Sequence, residues 1–170
     1  MRLLIVRHAI AEDREIGARG GGAKADRQRR VTEDGRRKFR KAAEALAELV
    51  PDLALIATSP YVRARETAEI LATAFGKAPV VSELADLAPD GDNAGVLRFA
   101  LAQKALPALA CVGHEPNLSS LAGYLLTGRD KSFLELRKGG AVLLEFPARL
   151  VAGGAILQWH LAPGMLRDLR

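Results

Sequence analysis

Short apolar runs alternate along this chain with longer segments of helical periodicity, which limits the folds that the sequence can adopt. The runs with the length of buried strands are residues 3–6, 53–57, 106–112, 142–146 and 155–161, with a shorter one at 79–81. The segments that predict helices are residues 33–50, 60–75, 93–104 and 117–126. Strands that alternate with helices favour a mostly parallel sheet with helices on both faces. We therefore predict a single three-layer α/β/α domain over residues 1–170, in which the last two strands pair as neighbours.

Local signals mark the ends of several elements. Thr32 is a predicted N-cap because its hydroxyl can accept a backbone hydrogen bond, and the acidic Glu33 and Asp34 suit the positive end of a helix dipole. Ser59 and Pro60 similarly predict an N-cap followed by a first-turn proline. Residues 12–30 carry no such pattern, since they combine consecutive glycines, mixed charge and few large apolar side chains. We predict a flexible loop over about residues 12–30.

The overall charge narrows the class of partner. A net charge of +5 favours anionic partners, which include phosphorylated molecules and nucleic acid.

Cys111 is the only cysteine, so an intrachain disulfide is excluded, and its apolar surroundings predict a buried, inert thiol. A reducing compartment follows from this cysteine usage, and we expect a cytoplasmic protein. No apolar run approaches the ~20 residues needed to span a bilayer, so we expect no membrane partner.

Three of the predicted strands lead directly into residues suited to bind an anion. The first strand leads into Arg7 and His8. The second leads into Ser59, with Arg63 one turn into the following helix, and the third leads into His114. Ligands of open α/β sheets bind beyond the carboxyl ends of the strands, so neighbouring strands would bring these residues into one pocket. Each residue alone is more often a solvated or structural side chain, but the three strand ends together indicate a site.

This combination of side chains suits a phosphoryl group. Arginine donates two parallel hydrogen bonds to phosphate oxygens, and a helix N-terminus adds free backbone donors and a partial positive charge. Histidine adds a nitrogen nucleophile and a group that titrates near neutral pH. Positive charge disfavours protonation of a nearby imidazole, so we expect the arginines to keep these histidines neutral.

At these positions the sequence resembles the histidine phosphatase superfamily, the phosphoglycerate-mutase-like enzymes, and in particular the SixA-type phosphohistidine phosphatases. The Arg-His-Ala of residues 7–9 is similar to the family's Arg-His-Gly. Further motifs follow in the family's order: "RRVTEDG" at 29–35, "TSPYVRARETAEIL" at 58–71, "LAPDGD" at 87–92, "VGHEPNLSSLAGYLLTG" at 112–128 and "LRKGGAVLLEF" at 136–146. The resemblance covers most of the chain and implies a phosphoglycerate-mutase-like fold.

The resemblance also implies roles for individual residues. His8 matches the histidine that accepts the phosphoryl group, and Arg7 and Arg63 match the two arginines that clamp it. His114 matches the second histidine, which hydrogen-bonds the transferring group. Further substrate-binding residues implied by the matching motifs are Arg29, Ser59, Glu115 and Asn117. These enzymes use no metal or other cofactor, so none is expected here.

The substrate is less constrained than the site. A phosphate ester needs a general acid to protonate its alkoxide leaving group, and Glu83 is the candidate, although a solvated loop carboxylate is the simpler interpretation. An imidazole leaving group needs less help, which favours phosphohistidine on a protein. The alternatives are a phosphatase of small phosphate esters or nucleotides on the same site, and a non-catalytic module that binds phosphate or nucleic acid. The basic stretch 27–41 has almost no aromatic residues between its charges, so a nucleic-acid partner is not favoured.

Overall fold

A mixed sheet forms the centre of the computed structural model, which describes residues 1–13 and 22–170. Its strands in this part of the chain are β1 (Arg2–Arg7), β2 (Leu53–Thr58), β3 (Val80–Glu83), β4 (Ala108–Gly113), β5 (Ala141–Glu145) and β6 (Ile156–Leu161). They are arranged in the order β3-β2-β4-β1-β5-β6. Neighbouring strands from β3 to β1 are parallel, whereas β5 is antiparallel to both β1 and β6. The predicted mostly parallel sheet and the pairing of the last two strands are confirmed.

Helices cover both faces of the sheet. They are α1 (Gly22–Gln28), α2 (Glu33–Leu49), α3 (Val62–Thr73), α4 (Asn93–Ala102), α5 (Asn117–Thr127) and α6 (Pro163–Asp168), with a short 3₁₀ helix at Ala85–Leu87. Successive side chains of β1 point to opposite faces, so Leu4 packs in a core with α2, α3 and α6, whereas Leu3 packs in a second core with α4 and α5. This is the predicted three-layer α/β/α fold, and it explains why β1 is apolar at consecutive positions.

The predicted helix ends are confirmed in part. The Thr32 hydroxyl accepts a hydrogen bond from the Gly35 backbone N–H at 3.0 Å, as expected of the N-cap of α2. The prediction that Ser59 caps the next helix is wrong, because α3 begins only at Val62. The Ser59 hydroxyl accepts a hydrogen bond from the backbone N–H of Tyr61, the residue before the helix, at 3.3 Å, and it lies 2.8 Å from the His114 imidazole.

The prediction of a loop over residues 12–30 needs correction, because Gly22–Gln28 is the helix α1. Its Asp26 forms a local ion pair with Arg29, three residues along the chain, and a tertiary ion pair with Arg63 of α3, and the contact with α3 adds to the weak local helix signal. The central part of the predicted flexible loop, residues 14–21, lies outside the described residues. Over the described ranges, no helix is long and apolar enough to cross a bilayer.

Candidate active site

A cavity of about 290 Å³ opens beyond the carboxyl ends of β1, β2 and β4. These three strands are neighbours in the sheet, so the residues that follow them are brought together. The predicted site residues that line the cavity are Arg7, His8, Arg29, Arg63, His114 and Glu115. The other lining residues are Asp13, Pro89 and Lys138. The resulting wall combines four basic side chains, two imidazoles and two carboxylates.

The ring of His8 is oriented by its backbone neighbour. Its Nδ1 lies 2.7 Å from the carbonyl oxygen of Ala9, which can only accept a hydrogen bond, so Nδ1 carries the ring proton. Its Nε2 then has a free lone pair, which accepts a hydrogen bond from Nε of Arg63 at 3.3 Å. This is the tautomer in which Nε2 can act as a nucleophile.

His8 is also held in its neutral form. The residue is 5% exposed, and burial is the main cause that keeps its pKa well below the ordinary value. His114, whose ring centroid lies 5.1 Å away, lowers the pKa of His8 further, and Arg63 and Arg7 contribute smaller effects. The sequence-based expectation named the arginines as the cause, whereas burial of the ring dominates.

His114 packs between His8 and Tyr61 and is held by Ser59. Its Nε2 lies 2.8 Å from the Ser59 hydroxyl, and the Tyr61 ring contacts its edge with a centroid distance of 5.0 Å. Burial, reinforced by Arg63, lowers the pKa of His114 to about 3. Ser59 is therefore placed to orient this imidazole, and it is not among the described residues that line the cavity.

Two buried nitrogens at the site have no hydrogen-bond partner. They are Nε of Arg7 and Nδ1 of His114, and no other buried side-chain nitrogen or oxygen in the described part of the chain is left unpaired. Arg7 is fixed by a hydrogen bond of 2.7 Å from its Nη1 to the carbonyl oxygen of Leu136. Buried polar groups are almost always satisfied in native proteins, so unpaired nitrogens at one cavity indicate a binding site.

Arg63 is engaged by Asp26 of α1, a residue that the sequence did not identify. The Arg63 Nη1 donates to the Asp26 carbonyl oxygen at 2.7 Å, and its Nη2 lies 3.2 Å from the carboxylate. Together with the contact to His8, these bonds use three of the five N–H donors of Arg63. Arg29 also binds the Asp26 carboxylate, at 2.8 Å from its Nη2. Burial opposes ionisation of Asp26, but the positive charges of Arg63 and Arg29 hold the pKa of its carboxyl below the usual value.

Glu115 and Asn117 fix the loops around the cavity. The Glu115 carboxylate accepts hydrogen bonds from the backbone N–H of Leu136 at 2.8 Å and from the Ser119 hydroxyl at 2.6 Å. Asn117 donates through its side-chain amide to the carbonyl oxygen of Ala88 at 3.2 Å. Glu115 lines the cavity, whereas Asn117 is not one of the described lining residues, so this amide holds the adjacent loop.

Glu83, the candidate general acid, lies at the end of β3 on the protein surface. Its carboxylate is 3.2 Å from Nη1 of Arg65, and both side chains are about half exposed, at 54% and 46%. It is not among the described residues that line the cavity, whereas Asp13 is. No group of three or more potential metal-binding side chains occurs within residues 1–13 and 22–170.

The comparisons with known proteins agree with this fold. A family model described as histidine phosphatase superfamily (branch 1) matches residues 3–88. An uncharacterised protein of Picosynechococcus sp. is 35% identical over 163 residues, which cover 94% of this chain and 90% of that protein.

Solved structures with the same fold include phosphatases of two kinds. The structure of the protein histidine phosphatase SixA complexed with tungstate superposes with a TM-score of 0.80, with 21% identity and complete coverage of both chains. The mycobacterial glucosyl-3-phosphoglycerate phosphatase in complex with VO3 superposes with a TM-score of 0.71 and 18% identity, covering 95% of this chain and 99% of that one. From the family match and the Picosynechococcus relative, we conclude that this chain belongs to the histidine phosphatase superfamily.

Proposed function

We propose that this protein is a phosphohistidine phosphatase that removes the phosphoryl group from a histidine of a protein substrate through a phospho-His8 intermediate. The observation that carries the proposal is the environment of His8. A buried, neutral imidazole presents an unprotonated Nε2 to Arg63, at a cavity where arginines can bind phosphate oxygens.

In the first step, the Nε2 lone pair of His8 attacks phosphorus in line with the leaving group. The new N–P bond forms as the N–P bond of the substrate breaks, and the electron pair of that bond stays on the substrate imidazole. The substrate imidazole leaves as a neutral ring if its other nitrogen is protonated, so no protein acid is required. The product at this point is phospho-His8.

The negative charge on the phosphoryl oxygens is met by donors that already line the cavity. Arg63 transfers the hydrogen bond of its Nε from His8 to a phosphoryl oxygen, which frees the nucleophile for attack. The unpaired Nε of Arg7 and Nδ1 of His114 are further donors for the same group, provided that Nδ1 carries the ring proton. The Ser59 hydroxyl selects that tautomer if it donates to Nε2 of His114. Preorganised donors of this kind are typically worth ~10²–10³ in rate each.

In the second step, water attacks the phosphorus of phospho-His8 and releases inorganic phosphate. The N–P bond breaks, and the electron pair returns to Nε2 of His8. Because burial keeps the His8 ring neutral, the released imidazole is again ready to attack. We expect neither step to need a metal or another cofactor.

The leaving group is the basis for preferring a protein phosphohistidine. Glu83 pairs with Arg65 on the surface, away from the described cavity lining, so it offers no support for ester hydrolysis. The alternative, a phosphatase of small phosphate esters or nucleotides, is supported by one specific observation: Asp13 lines the cavity and could protonate an alkoxide. The similar structures solved with tungstate and with VO3 support binding of an oxyanion in either case.

Location and partners follow from the same proposal. A phosphohistidine protein is an anionic partner, in keeping with the net charge of +5. The single cysteine, Cys111, is buried and free, and burial raises the pKa of its thiol to about 12, so it takes no part in the chemistry that we propose. We expect the reaction to take place in the cytoplasm.

The proposal is tested by comparing two substrates on matched variants. The wild type, His8→Ala and the exposed-site control His160→Ala are assayed on a phosphorylated histidine phosphotransfer protein and on para-nitrophenyl phosphate. We expect kcat/KM for the phosphoprotein to fall at least about a thousandfold in His8→Ala and to be unchanged in His160→Ala. Turnover of para-nitrophenyl phosphate alone would instead support the small-ester alternative, and full activity of His8→Ala would refute the assigned nucleophile.

A further inference from the structure

A second cavity, of about 190 Å³, lies beside the candidate active site. We call it the side groove. Lys138 lines both cavities, so one ligand can contact them at the same time. Ala9, the residue after His8, also lines the side groove. The wall between the two is held by Gly139, whose backbone N–H donates to the carbonyl oxygens of Arg7 and His8, each at 3.1 Å.

The floor of the side groove is apolar. Its apolar lining comes from Phe39 and Ala42 of α2, which are almost fully buried, from Pro163 at the start of α6 and from the exposed Ile10. Gly139 lies beside this floor with a φ of +78°, which L side chains rarely adopt, and an added Cβ would lie 3.4 Å from the Phe39 ring. A cavity of ~150 Å³ in a protein core can hold a benzene molecule, so the volume of the side groove suits one large apolar side chain.

Basic side chains surround this apolar floor. They are Lys38 of α2, Lys138 and Arg167 of α6. Lys38 pairs with Asp34 at 2.6 Å, whereas Lys138 and Arg167 make no ion pair within the described parts of the chain. Two positive charges that have no ion pair with the described residues, beside an apolar floor, are complementary to a ligand that combines carboxylates with an apolar group.

We propose that the side groove is a docking site for the protein substrate, and that it binds an apolar side chain flanked by acidic residues close to the phosphohistidine. This inference rests on the proposed function, because it assumes that the phosphoryl group occupies the neighbouring cavity. Lys138 lines both cavities and is placed to contact the part of the substrate that joins the apolar side chain to the phosphohistidine. A small phosphate ester occupies the active site without reaching Arg167, so the side groove distinguishes protein substrates from small ones.

The test uses phosphohistidine peptides as probes. The first peptide carries a leucine and two glutamates near the phosphohistidine; a second has glutamine in place of the glutamates, and a third has alanine in place of the leucine. Phosphoramidate serves as a probe that is too small to reach the side groove. The enzymes are the wild type, Arg167→Glu and Lys77→Glu, which makes the same change of charge at an exposed lysine outside the side groove.

We expect the wild type to hydrolyse the first peptide with a kcat/KM about three- to tenfold higher than that for the second or the third. Arg167→Glu should remove the preference for the glutamates through a higher KM, while Lys77→Glu keeps it. Hydrolysis of phosphoramidate should be equal in all three enzymes. Two results would overturn the side-groove proposal while leaving the proposed function intact. One is an equal kcat/KM of the wild type for all three peptides. The other is a fall in kcat/KM of Arg167→Glu that is as large for phosphoramidate as for the peptides. Para-nitrophenyl phosphate is assayed alongside as a small ester, and its hydrolysis without that of any peptide would overturn the proposed function instead.

Discussion

Lowering the pH from 7.5 to 5.0 is expected to destabilise the fold through His8 and His114. Burial is the main cause that lowers the pKa of both rings, to about 3 in His114 and well below the ordinary value in His8. In the unfolded chain both rings regain an ordinary pKa of ~6.5. Below that pH the unfolded chain binds more protons than the folded one, so stability is complete above about pH 6.5 and declines as the pH falls.

The size of the effect follows from these pKa shifts. At pH 5.0, protonation stabilises an unfolded histidine with a pKa of ~6.5 by about 2 kcal/mol, while the folded His114 ring remains neutral. For His8, the loss of unfolding free energy at pH 5.0 has the same upper limit of about 2 kcal/mol. The combined loss of up to about 4 kcal/mol is a large share of the ~5–15 kcal/mol that is typical of a domain. The lowered pKa of the Asp26 carboxyl affects stability only at more acidic pH, because the unfolding free energy that it contributes is lost as the pH falls below the ordinary pKa of 3.8.

The measurement is urea unfolding followed by circular dichroism at both pH values, in buffers without phosphate. The loss of unfolding free energy between pH 7.5 and 5.0 should be about 2 kcal/mol smaller in His114→Gln than in the wild type. His160→Gln, which changes an exposed histidine on β6, should lose as much as the wild type does. Equal losses in the wild type and in His114→Gln would refute the assignment of a buried, neutral His114.

Three further substitutions test other contacts of the site and the fold. Asp26→Asn removes a carboxylate that competes with an anion for Arg63, so the inhibition constant of tungstate should fall about tenfold, and an unchanged constant would contradict this competition. Ser59→Ala leaves a buried His114 nitrogen without its partner, which should cost about 1–3 kcal/mol of unfolding free energy. The same substitution should lower kcat more than it changes KM, and an effect on KM alone would argue against a positioning role. Thr32→Ala removes an N-cap and should cost about 1 kcal/mol in thermal or urea unfolding with kcat/KM unchanged, whereas a fall in kcat/KM would show that this cap supports the site.

The parts of the site that the sequence predicts are those set by strand ends. Arg7 is the last residue of β1 and His8 follows it, and a strand that is buried on both faces can place polar side chains only near its ends. His114 follows β4 for the same reason, and the parallel pairing of β1 with β4 brings the two histidines together. This part of the site follows from local sequence and from the general geometry of α/β sheets.

The parts that the sequence does not predict depend on long-range contacts. Asp26 lies in a glycine-rich, charged segment with no apolar periodicity, and its contacts with Arg63 of α3 bring together residues 37 positions apart. Ser59 has the local pattern of an N-cap, but its hydroxyl contacts an imidazole 55 positions further along the chain. Glu83 has a suitable side chain for an acid, but the parallel pairing of β3 at the sheet edge places it beside Arg65.

The most direct test of the central claim is to trap the phosphoenzyme. The protein is mixed with a ³²P-labelled phosphohistidine protein, quenched in alkali within milliseconds, digested and analysed by mass spectrometry. We predict a base-stable, acid-labile label on the peptide that contains His8, which forms and decays at rates compatible with turnover and is absent from His8→Ala. Turnover of the phosphohistidine protein without a label at His8, or with a label at His114 instead, would contradict the mechanism.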